Sequence, residues 1–492
     1  MTMMKRISLT AAALIVILTI FLLAELPAFA AGDVCTVTVK SSDGSVISET
    51  GYDSFETGWS MALSKADSKN DTVFTLHRNW IHDMALELPE NRKITVDLNG
   101  FLLMRDRNRK QVRQGYIFHV PEGATLTIRD SDPGSTGYNG IRGGVITGGA
   151  NSSGAGAIEI DAGGTCVMES GTIYRCTTSE HGGAILLSGA ENNMARFTML
   201  GGRIYFCQTV DSITNCHGGA IYADHAQISM SNANFDACYS EDNGGAIYLN
   251  DGYLTIEDSM FIGNHCRDYG GAIYINSGSL RLYRTRFSSN EADDNGGAIY
   301  IDDGYMNEIY DCIFYKNKSH NKGGAIYVND DRTFLLDCDV IANSAESYGG
   351  GIYVDSRYDI NLKGLVHIMN NSGKDGRNNL TLQDGTTSRA YLYNGGLTEG
   401  SSVGLSSTGK NTVYSKSMTA YQMEHYFFSD RGSLELKDTY LKEAPMLASV
   451  FLESSFGAIV IGVLLGAGFG AVVYLVLKKR RKEAANDEIT EA

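Results

Sequence analysis

The sequence predicts an all-β chain folded as a right-handed parallel β-helix, a solenoid of the pectate-lyase-like type. Three observations predict it. A Gly-Gly-Ala-Ile segment recurs at spacings of 27, 36, 26, 26, 26, 27 and 26 residues. A Phe-x-x-Asn segment precedes most of these copies. The chain has 56 glycines but only 5 prolines, which suits a fold with many tight turns.

Each repeat reads as one coil of about 26 residues. In the copy at Gly270, Ile273 and Ile275 share one face of a strand, while Ala272 and Tyr274 share the other. A second short strand and the Phe-x-x-Asn segment follow, so we expect three strands and three turns per coil. A leucine-rich repeat would show leucine at fixed offsets, and a propeller blade needs about 40 residues or more. The copies begin at Ala155 (degenerate), Gly182, Gly218, Gly244, Gly270, Gly296, Gly323 and Gly349.

Stacked coils place equivalent residues in columns about 4.8 Å apart. We expect an inner isoleucine column, a polar corner and an inner asparagine column. Cysteines take the asparagine position in three early coils, and Asn370 is expected to close that column. The isoleucines are Ile221, Ile247, Ile273, Ile299, Ile326 and Ile352. The polar corner is Asp224, Asn250, Asn276, Asp302, Asn329 and Asp355, and the asparagine column is Asn264, Asn290, Asn317 and Asn343.

Other elements are expected at both ends of the solenoid. An amphipathic helix over 53–67, opened by Asp53 and Glu56, is expected to cover the first coil. The predicted division of the chain is a signal peptide (1–30), an N-terminal cap with the first irregular coils (31–139), regular coils (140–375), C-terminal coils or a β-rich cap (376–429), a stalk (430–455), a transmembrane helix (456–477) and a cytoplasmic tail (478–492).

Both chain ends carry membrane signals. Residues 1–30 combine a charged start, an apolar stretch and an Ala-Phe-Ala site, which favours a cleaved signal over an uncleaved anchor. Residues 456–477 carry no charge and would form a helix about 33 Å long. The basic run 478–482 places the following tail in the cytoplasm. We therefore expect a single-pass cell-membrane protein with its bulk outside. Gly462, Gly466 and Gly470 lie on one helix face and would permit a helix-mediated dimer.

The charge of the outer part restricts its partners. Without residues 1–30 and 478–492, Lys plus Arg falls from 41 to 34 and Asp plus Glu from 57 to 52, leaving a formal charge of −18. An acidic exterior argues against nucleic acid or anionic lipid as the main ligand. The nine cysteines allow disulfides in an exported chain, but Cys176, Cys207 and Cys238 share one column, which favours buried thiols.

Two columns are candidate binding sites. The tyrosine ladder should lie outside the isoleucine core as an aromatic strip about 24 Å long, able to bind a glycan or a protein surface. Ring stacking that only stabilises the sheet is the alternative. Three stacked aspartates, Asp242, Asp268 and Asp294, could bind Ca²⁺ or form a solvated acidic turn; no other cofactor is expected. The tyrosines are Tyr222, Tyr248, Tyr274, Tyr300, Tyr327 and Tyr353.

Catalytic residues are not assigned. Asp224, His217 and His181 are candidates for polysaccharide cleavage, but each occupies a column in which other residue types occur freely. A catalytic site should interrupt the repeat, and the irregular 36-residue coil is the best place for one.

The Gly-Gly-Ala-Ile and Phe-x-x-Asn segments resemble the repeats of chlamydial polymorphic outer-membrane proteins and of β-helix surface proteins of Gram-positive anaerobes. The resemblance covers about residues 140–371 and implies a surface-exposed, adhesin-like role. The chlamydial proteins continue into an autotransporter domain, whereas this sequence ends in one apolar segment and a basic tail. Two functions follow as expectations: a non-catalytic surface adhesin or binding solenoid, and a membrane-tethered polysaccharide lyase or glycoside hydrolase.

Overall fold

A computed structural model describes residues 32–105, 115–152, 154–210, 216–329, 332–355, 359–383, 391–408, 412–430 and 435–438. These residues form an all-β, right-handed solenoid of about 12 turns, which confirms the predicted right-handed β-helix. The predicted signal peptide, transmembrane helix, Gly462, Gly466, Gly470 and cytoplasmic tail lie outside the described residues, as does most of the predicted stalk. Within the described ranges, no helix is both long and apolar enough to cross a membrane.

Each regular coil contributes strands to four parallel sheets, named A to D in chain order. Sheet A carries the Ile-Tyr segments and consists of Leu86–Glu87, Phe118–Val120, Ile158–Asp161, Ile185–Ser188, Ile221–Asp224, Ile247–Leu249, the first parts of Ile273–Tyr283 and Ile299–Tyr310, Ile326–Val328, Ile352–Val354, Leu380–Leu382, Ser402–Ser407 and Phe427–Ser429. Sheet B consists of Asp71–Leu76, Lys93–Asp97, Thr125–Arg129, Thr165–Met168, Ala195–Met199, Ala226–Ser231, Gly252–Glu257, the second parts of Ile273–Tyr283 and Ile299–Tyr310, Thr333–Leu336, Asp359–Gly364, Tyr391–Leu397, Thr412–Lys416 and Glu435–Asp438.

Sheets C and D complete the coil. Sheet C consists of Trp80–His82, Leu102–Arg105, Val145–Thr147, Thr172–Tyr174, Gly202–Tyr205, Ala233–Asp236, Met260–Ile262, Arg286–Ser288, Ile313–Tyr315, Asp339–Ile341, His367–Met369 and the start of Ser402–Ser407, whose later residues pair in sheet A. Sheet D consists of Ala150–Asn151, Thr177–Thr178, Gln208–Thr209, Tyr239–Ser240, His265–Cys266, Glu291–Ala292, Lys318–Ser319, Ser344–Ala345 and Ser372–Gly373, with Gly376–Arg377 antiparallel to the last. The expectation of three strands per coil is wrong, because two-residue strands are too short to show a sequence period.

The N-terminal strands do not follow the solenoid pattern. Cys35–Lys40 pairs antiparallel with Asp71–Leu76 and with Val46–Tyr52. Helix α1 (Phe55–Lys65) packs mainly against Cys35–Lys40 and Asp71–Leu76. Its N-cap is Ser54, whose hydroxyl accepts from the Thr57 amide, so the expected opening at Asp53 is one residue early. Short elements complete the description: a 3-10 turn (Tyr138–Gly140) and helix α2 (Ala420–His425).

The core is a set of apolar columns. All six predicted ladder isoleucines are fully buried. Phe235, Phe261, Phe287 and Phe314 stack with centroids 4.8–4.9 Å apart and rings within 12° of parallel. All nine cysteines are buried free thiols, as the column argument predicted. Burial raises the pKa of the Cys238 and Cys312 thiols to about 12, so these groups are unreactive packing residues at neutral pH.

The buried asparagine column forms as predicted, but it continues through Asn371 in place of Asn370 and does not end there. Asn343 donates its backbone N–H and its side-chain amide to Asn371 Oδ1, at 2.8 and 2.9 Å. Asn370 instead adopts a left-handed backbone with φ of 58°. Asn371 donates to Asn379, and Asn379 donates to Asp430 at 2.6 and 2.7 Å. The column therefore ends on a carboxylate near the C-terminal end of the described solenoid.

The first glycine of each pair is required by a left-handed turn, and the second by the close approach of successive coils. Gly270 has φ of 73°, and a Cβ there would lie 2.3 Å from the Ile273 carbonyl oxygen. A Cβ on Gly271 would lie 2.2 Å from the carbonyl oxygen of Gly297 in the next coil. Only glycine fits both positions, which explains why the Gly-Gly pair marks each coil.

Candidate functional site

The tyrosine ladder lies outside the isoleucine core, as predicted, but it is not an exposed strip. Successive rings from Tyr222 to Tyr353 stack with centroids 4.7–5.2 Å apart and within 21° of parallel. The five rings from Tyr248 onward are at most 8 % exposed and form their own buried cluster. The expectation of an open aromatic strip is therefore wrong.

A column of side chains at the corner before each Gly-Gly pair covers the ladder. His181 stacks on Tyr222 at 4.2 Å and His217 on Tyr248 at 4.4 Å. Further along, Tyr269 contacts Tyr300 and the Lys322 ammonium lies 4.5 Å from the Tyr353 ring centroid. In each case a corner residue covers the ring of the following coil. We name this set the corner column: His181, His217, Asn243, Tyr269, Asn295, Lys322 and Tyr348.

The two corner histidines act as neutral aromatic rings. Burial has the larger effect on His217 and the neighbouring His181 the smaller, and together they lower the pKa of His217 to about 4. Burial also lowers the pKa of His181. Their other contacts are structural, since His217 Nδ1 lies 3.4 Å from the Asn243 backbone and side-chain amides. Asp224, the third residue considered for catalysis, is paired with His225 and Asn250 instead.

Three of the ladder hydroxyls also donate hydrogen bonds, among them that of Tyr353 to Gln383 at 3.2 Å. Tyr274 donates to Asp302 at 3.1 Å and Tyr327 donates to Asp355 at 2.5 Å. These aspartates belong to the predicted polar corner, in which Asn329 donates to Asp302 at 2.7 Å. With their faces stacked and most of their edges covered, these tyrosines stabilise sheet A. Their role in ligand binding stays a prediction.

The three stacked aspartates occupy the expected positions beside the Gly-Gly corner. The Cys216 amide donates to Asp242, and the Asn321 side-chain amide donates to Asp294 at 2.8 Å. Partial burial, followed by the charges of Asp242 and Asp294, raises the pKa of Asp268. Across the described residues, no three His, Cys, Asp or Glu side chains are grouped closely enough to hold a metal ion. The geometry gives the Ca²⁺ hypothesis no support, and Ca²⁺ binding stays a prediction.

A groove of about 670 Å³ lies on the outer surface of sheet B. Aromatic and charged side chains from five successive coils line it, and the Arg281 guanidinium pairs with Glu308 at 2.9 Å beside it. Two of the lining residues, Tyr283 and Tyr310, pack with their ring centroids 5.1 Å apart. We name it the sheet B groove; its principal lining residues are Tyr283, Glu308, Tyr310, Phe334, Lys363 and Tyr393.

Strand register places these residues in two outward columns. One column runs through Tyr283, Tyr310, Leu336 and Lys363. The other runs through Arg281, Glu308, Phe334, Asn361 and Tyr393. Consecutive coils are about 4.8 Å apart, so the groove extends for about 19 Å along the solenoid axis. Its length and open side suit an extended ligand.

Sequence reasoning missed this groove. The available signal was the tyrosine that ends the second strand in two coils, Tyr283 and Tyr310. The remaining rings, Phe334 and Tyr393, lie in the neighbouring column. An aromatic surface built from two columns has no single fixed offset from the Gly-Gly pair, so the repeat does not reveal it.

A cluster of polar side chains lies on the outer face of sheet A, in the coils that precede the tyrosine ladder. In register with the tyrosines lie Glu87, His119 and Glu159. The His119 ring nitrogens contact Glu87 at 2.7 Å and Asp161 at 2.9 Å. Burial lowers the pKa of His119, but the bonds to Asp161 and Glu87 outweigh it and the net pKa is raised. Burial raises the pKa of Glu159.

One comparison with known proteins agrees with this architecture. A family model described as "Right handed beta helix region" matches residues 209–371. No curated protein matches the chain, and no solved structure does. Over about a third of its length, the chain is therefore similar to the right-handed β-helix family, and this similarity concerns fold alone.

Proposed function

We propose that this protein is a non-catalytic, surface-displayed binding solenoid, and that the sheet B groove contacts an extracellular glycan chain. The observation that carries the proposal is the groove itself: aromatic rings and charged groups from five coils form one open surface. Most of the tyrosine ladder, by contrast, is covered by the corner column.

The chemistry of the groove favours a glycan. Sugar rings present apolar C–H faces that pack on aromatic rings, and their hydroxyls bond to carboxylates, ammonium groups and amides. Tyr283, Tyr310 and Tyr393 supply the rings, while Glu308 and Lys363 supply charged partners. Both charge signs line the groove, so it fits a neutral or zwitterionic chain better than a polyanion.

The proposed location rests on the sequence. The apolar segment 456–477 and the basic run 478–482 would anchor the chain once in the cell membrane, with the solenoid outside and the C-terminus in the cytoplasm. A linear array of stacked coils is suited to presenting a binding surface away from a membrane.

Glycan-array binding by the full chain in lipid nanodiscs tests the proposal. We expect Tyr310→Ala to weaken binding at least tenfold, since aromatic residues at the centre of a contact contribute most of its energy. The matched control is Tyr253→Ala, which removes a tyrosine that is 54 % exposed on the same sheet but outside the groove. Equal binding by both variants would refute the groove as the contact.

The tethered polysaccharide-cleaving enzyme is the second candidate, and the Glu87–His119–Asp161 cluster is the observation in its favour. Both imidazole nitrogens of His119 are bound to carboxylates, so neither is free to exchange a proton with a substrate in this arrangement. The binding role is therefore the better supported. Shortening of any arrayed glycan by the wild type, lost in Glu159→Gln, would establish the enzyme instead.

A further inference from the structure

A pocket of about 410 Å³ opens at the N-terminal end of the solenoid. It lies between helix α1 and the stretch 80–86, where the first strand of sheet C begins. Helix α1 places Trp59 edge-on against Phe74, at 5.5 Å, and stacks Phe55 on Trp80 at 5.3 Å. A wedge remains open beside the helix.

The pocket has apolar walls and an acidic, open rim. The Trp80 and His82 rings lie 4.9 Å apart and both line it, with Trp59 and Leu63 contributed by the helix. The Trp80 and His82 side chains extend to the same side of their strand, because the two residues are two positions apart. At the rim lie Glu56 and Ser60, which are exposed.

Two buried polar atoms in the pocket walls are unsatisfied. Trp80 is 3 % exposed, and its indole Nε1 has no hydrogen-bond partner among the described residues. The same holds for His82 Nε2. His82 Nδ1 lies 2.7 Å from the Met84 carbonyl oxygen, which can only accept, so Nδ1 carries the proton. The residues that line the pocket thus hold one N–H donor and one lone-pair acceptor that are both closed to solvent, an arrangement that is costly when neither is used. A ligand in the pocket would reach these two nitrogens when the side chains around them move apart.

We propose that this pocket binds the acetamido group of an N-acetylated amino sugar. An acetamido group is planar and carries a carbonyl that accepts from Trp80 Nε1, an N–H that donates to His82 Nε2, and a methyl that packs on the rings. The sugar hydroxyls then face Glu56 and Ser60 at the rim. Burial lowers the pKa of His82 to about 4, so its lone pair is available at neutral pH.

The acidic rim narrows the ligand class. Glu56 and Asp83 both line the pocket, and their charges oppose uronic acids and sulfated sugars. A sugar with a free amine lacks the carbonyl, and a plain hexose lacks both the carbonyl and the methyl. The site is separate from the sheet B groove and does not rest on the function proposed for that groove.

The chain carries its own reporter for this site. It has two tryptophans, Trp59 and Trp80, and both line the pocket. Intrinsic tryptophan fluorescence of the full chain in nanodiscs, titrated with N-acetylglucosamine, N-acetylgalactosamine, glucosamine and glucose, therefore observes the pocket directly. We expect a saturable change with at least one acetylated sugar and none with glucosamine or glucose.

Single substitutions test the two nitrogens. Trp80→Phe keeps an aromatic ring and leaves Trp59 as the fluorescent reporter. Because it removes the N–H donor, it should weaken binding of the acetylated sugar about tenfold. His82→Phe removes the acceptor, should act similarly, and replaces Trp80→Phe as the test if that variant loses its β-sheet circular dichroism. Tyr310→Ala, in the sheet B groove, is the matched control and should leave this titration unchanged.

Three results would overturn the proposal: no saturable response to either acetylated sugar, an equal response to glucose, or unchanged affinity in folded Trp80→Phe and His82→Phe. The function proposed for the sheet B groove would be refuted by a different result, namely glycan-array binding that Tyr310→Ala does not alter. The two sites can therefore fail independently.

Discussion

The asparagine column gives the sharpest energetic prediction, for the substitution Asn317→Ala. The fully buried Asn317 side chain makes four hydrogen bonds. Its Oδ1 accepts from the Asn290 backbone amide at 3.0 Å and from the Asn290 side chain at 2.9 Å. Its Nδ2 donates to Phe287 O at 3.0 Å and to Asn343 Oδ1 at 2.9 Å.

Removing this side chain leaves four polar groups without that partner in a dry column. Two belong to the backbone and cannot turn away, and each buried unsatisfied group costs about 1–3 kcal/mol. We expect Asn317→Ala to lower the free energy of unfolding by about 3–5 kcal/mol, at the high end for a single substitution. Denaturant unfolding, with hydrogen exchange at the Asn290 amide, measures it.

Asn276→Ala is the matched control. Asn276 belongs to the polar corner, where it is only half-buried and donates to Asn250 at 2.9 Å. Solvent can replace that bond, so we expect a loss of about 1 kcal/mol or less. If the two variants lose the same free energy, the buried column does not stabilise the coils as argued.

Three further predictions follow from the same contacts. Tyr300→Ala should lower the free energy of unfolding, measured with denaturant, by about 3–5 kcal/mol, because it removes a buried ring. The same variant should bind glycans like the wild type. Loss of binding in a folded variant would indicate that the tyrosine ladder, and not the groove, contacts the glycan. Asp268→Asn should raise the melting temperature at neutral pH but not below the carboxyl's unfolded pKa. The folded pKa of Asp268 is raised, so the wild type loses stability as pH rises through it, and an unchanged difference across pH would contradict this. The buried thiols, such as Cys238, should react with a thiol reagent only after unfolding; rapid native labelling of Cys238 would contradict its burial.

Features with a fixed offset in the repeat could be predicted from the sequence. The isoleucine column, the asparagine column and the polar corner each recur at one position relative to the Gly-Gly pair, because stacked coils require the same residue at the same level. The asparagine expected to close the column was misplaced by one residue, and the column continues beyond it to Asn379. The last regular coil differs in length, so Asn371 rather than Asn370 meets Asn343.

Contacts between unlike residues could not be predicted. The corner column is visible in the sequence as one position of the repeat, but its contact with the tyrosine ladder is not, because histidine, tyrosine and lysine share that position and no chemical type. The sheet B groove joins two columns, and the strand pairing shifts register after Gly278. The pocket beside helix α1 brings together Trp59 from a helix and Trp80 from a strand, and no sequence repeat relates these two positions.

Glycan-array binding of Tyr310→Ala beside Tyr253→Ala, both in the full chain, tests the central claim most directly. The sheet B groove account predicts at least a tenfold loss for Tyr310→Ala and wild-type binding for Tyr253→Ala. Wild-type binding by Tyr310→Ala would contradict it, as would equal losses in both variants.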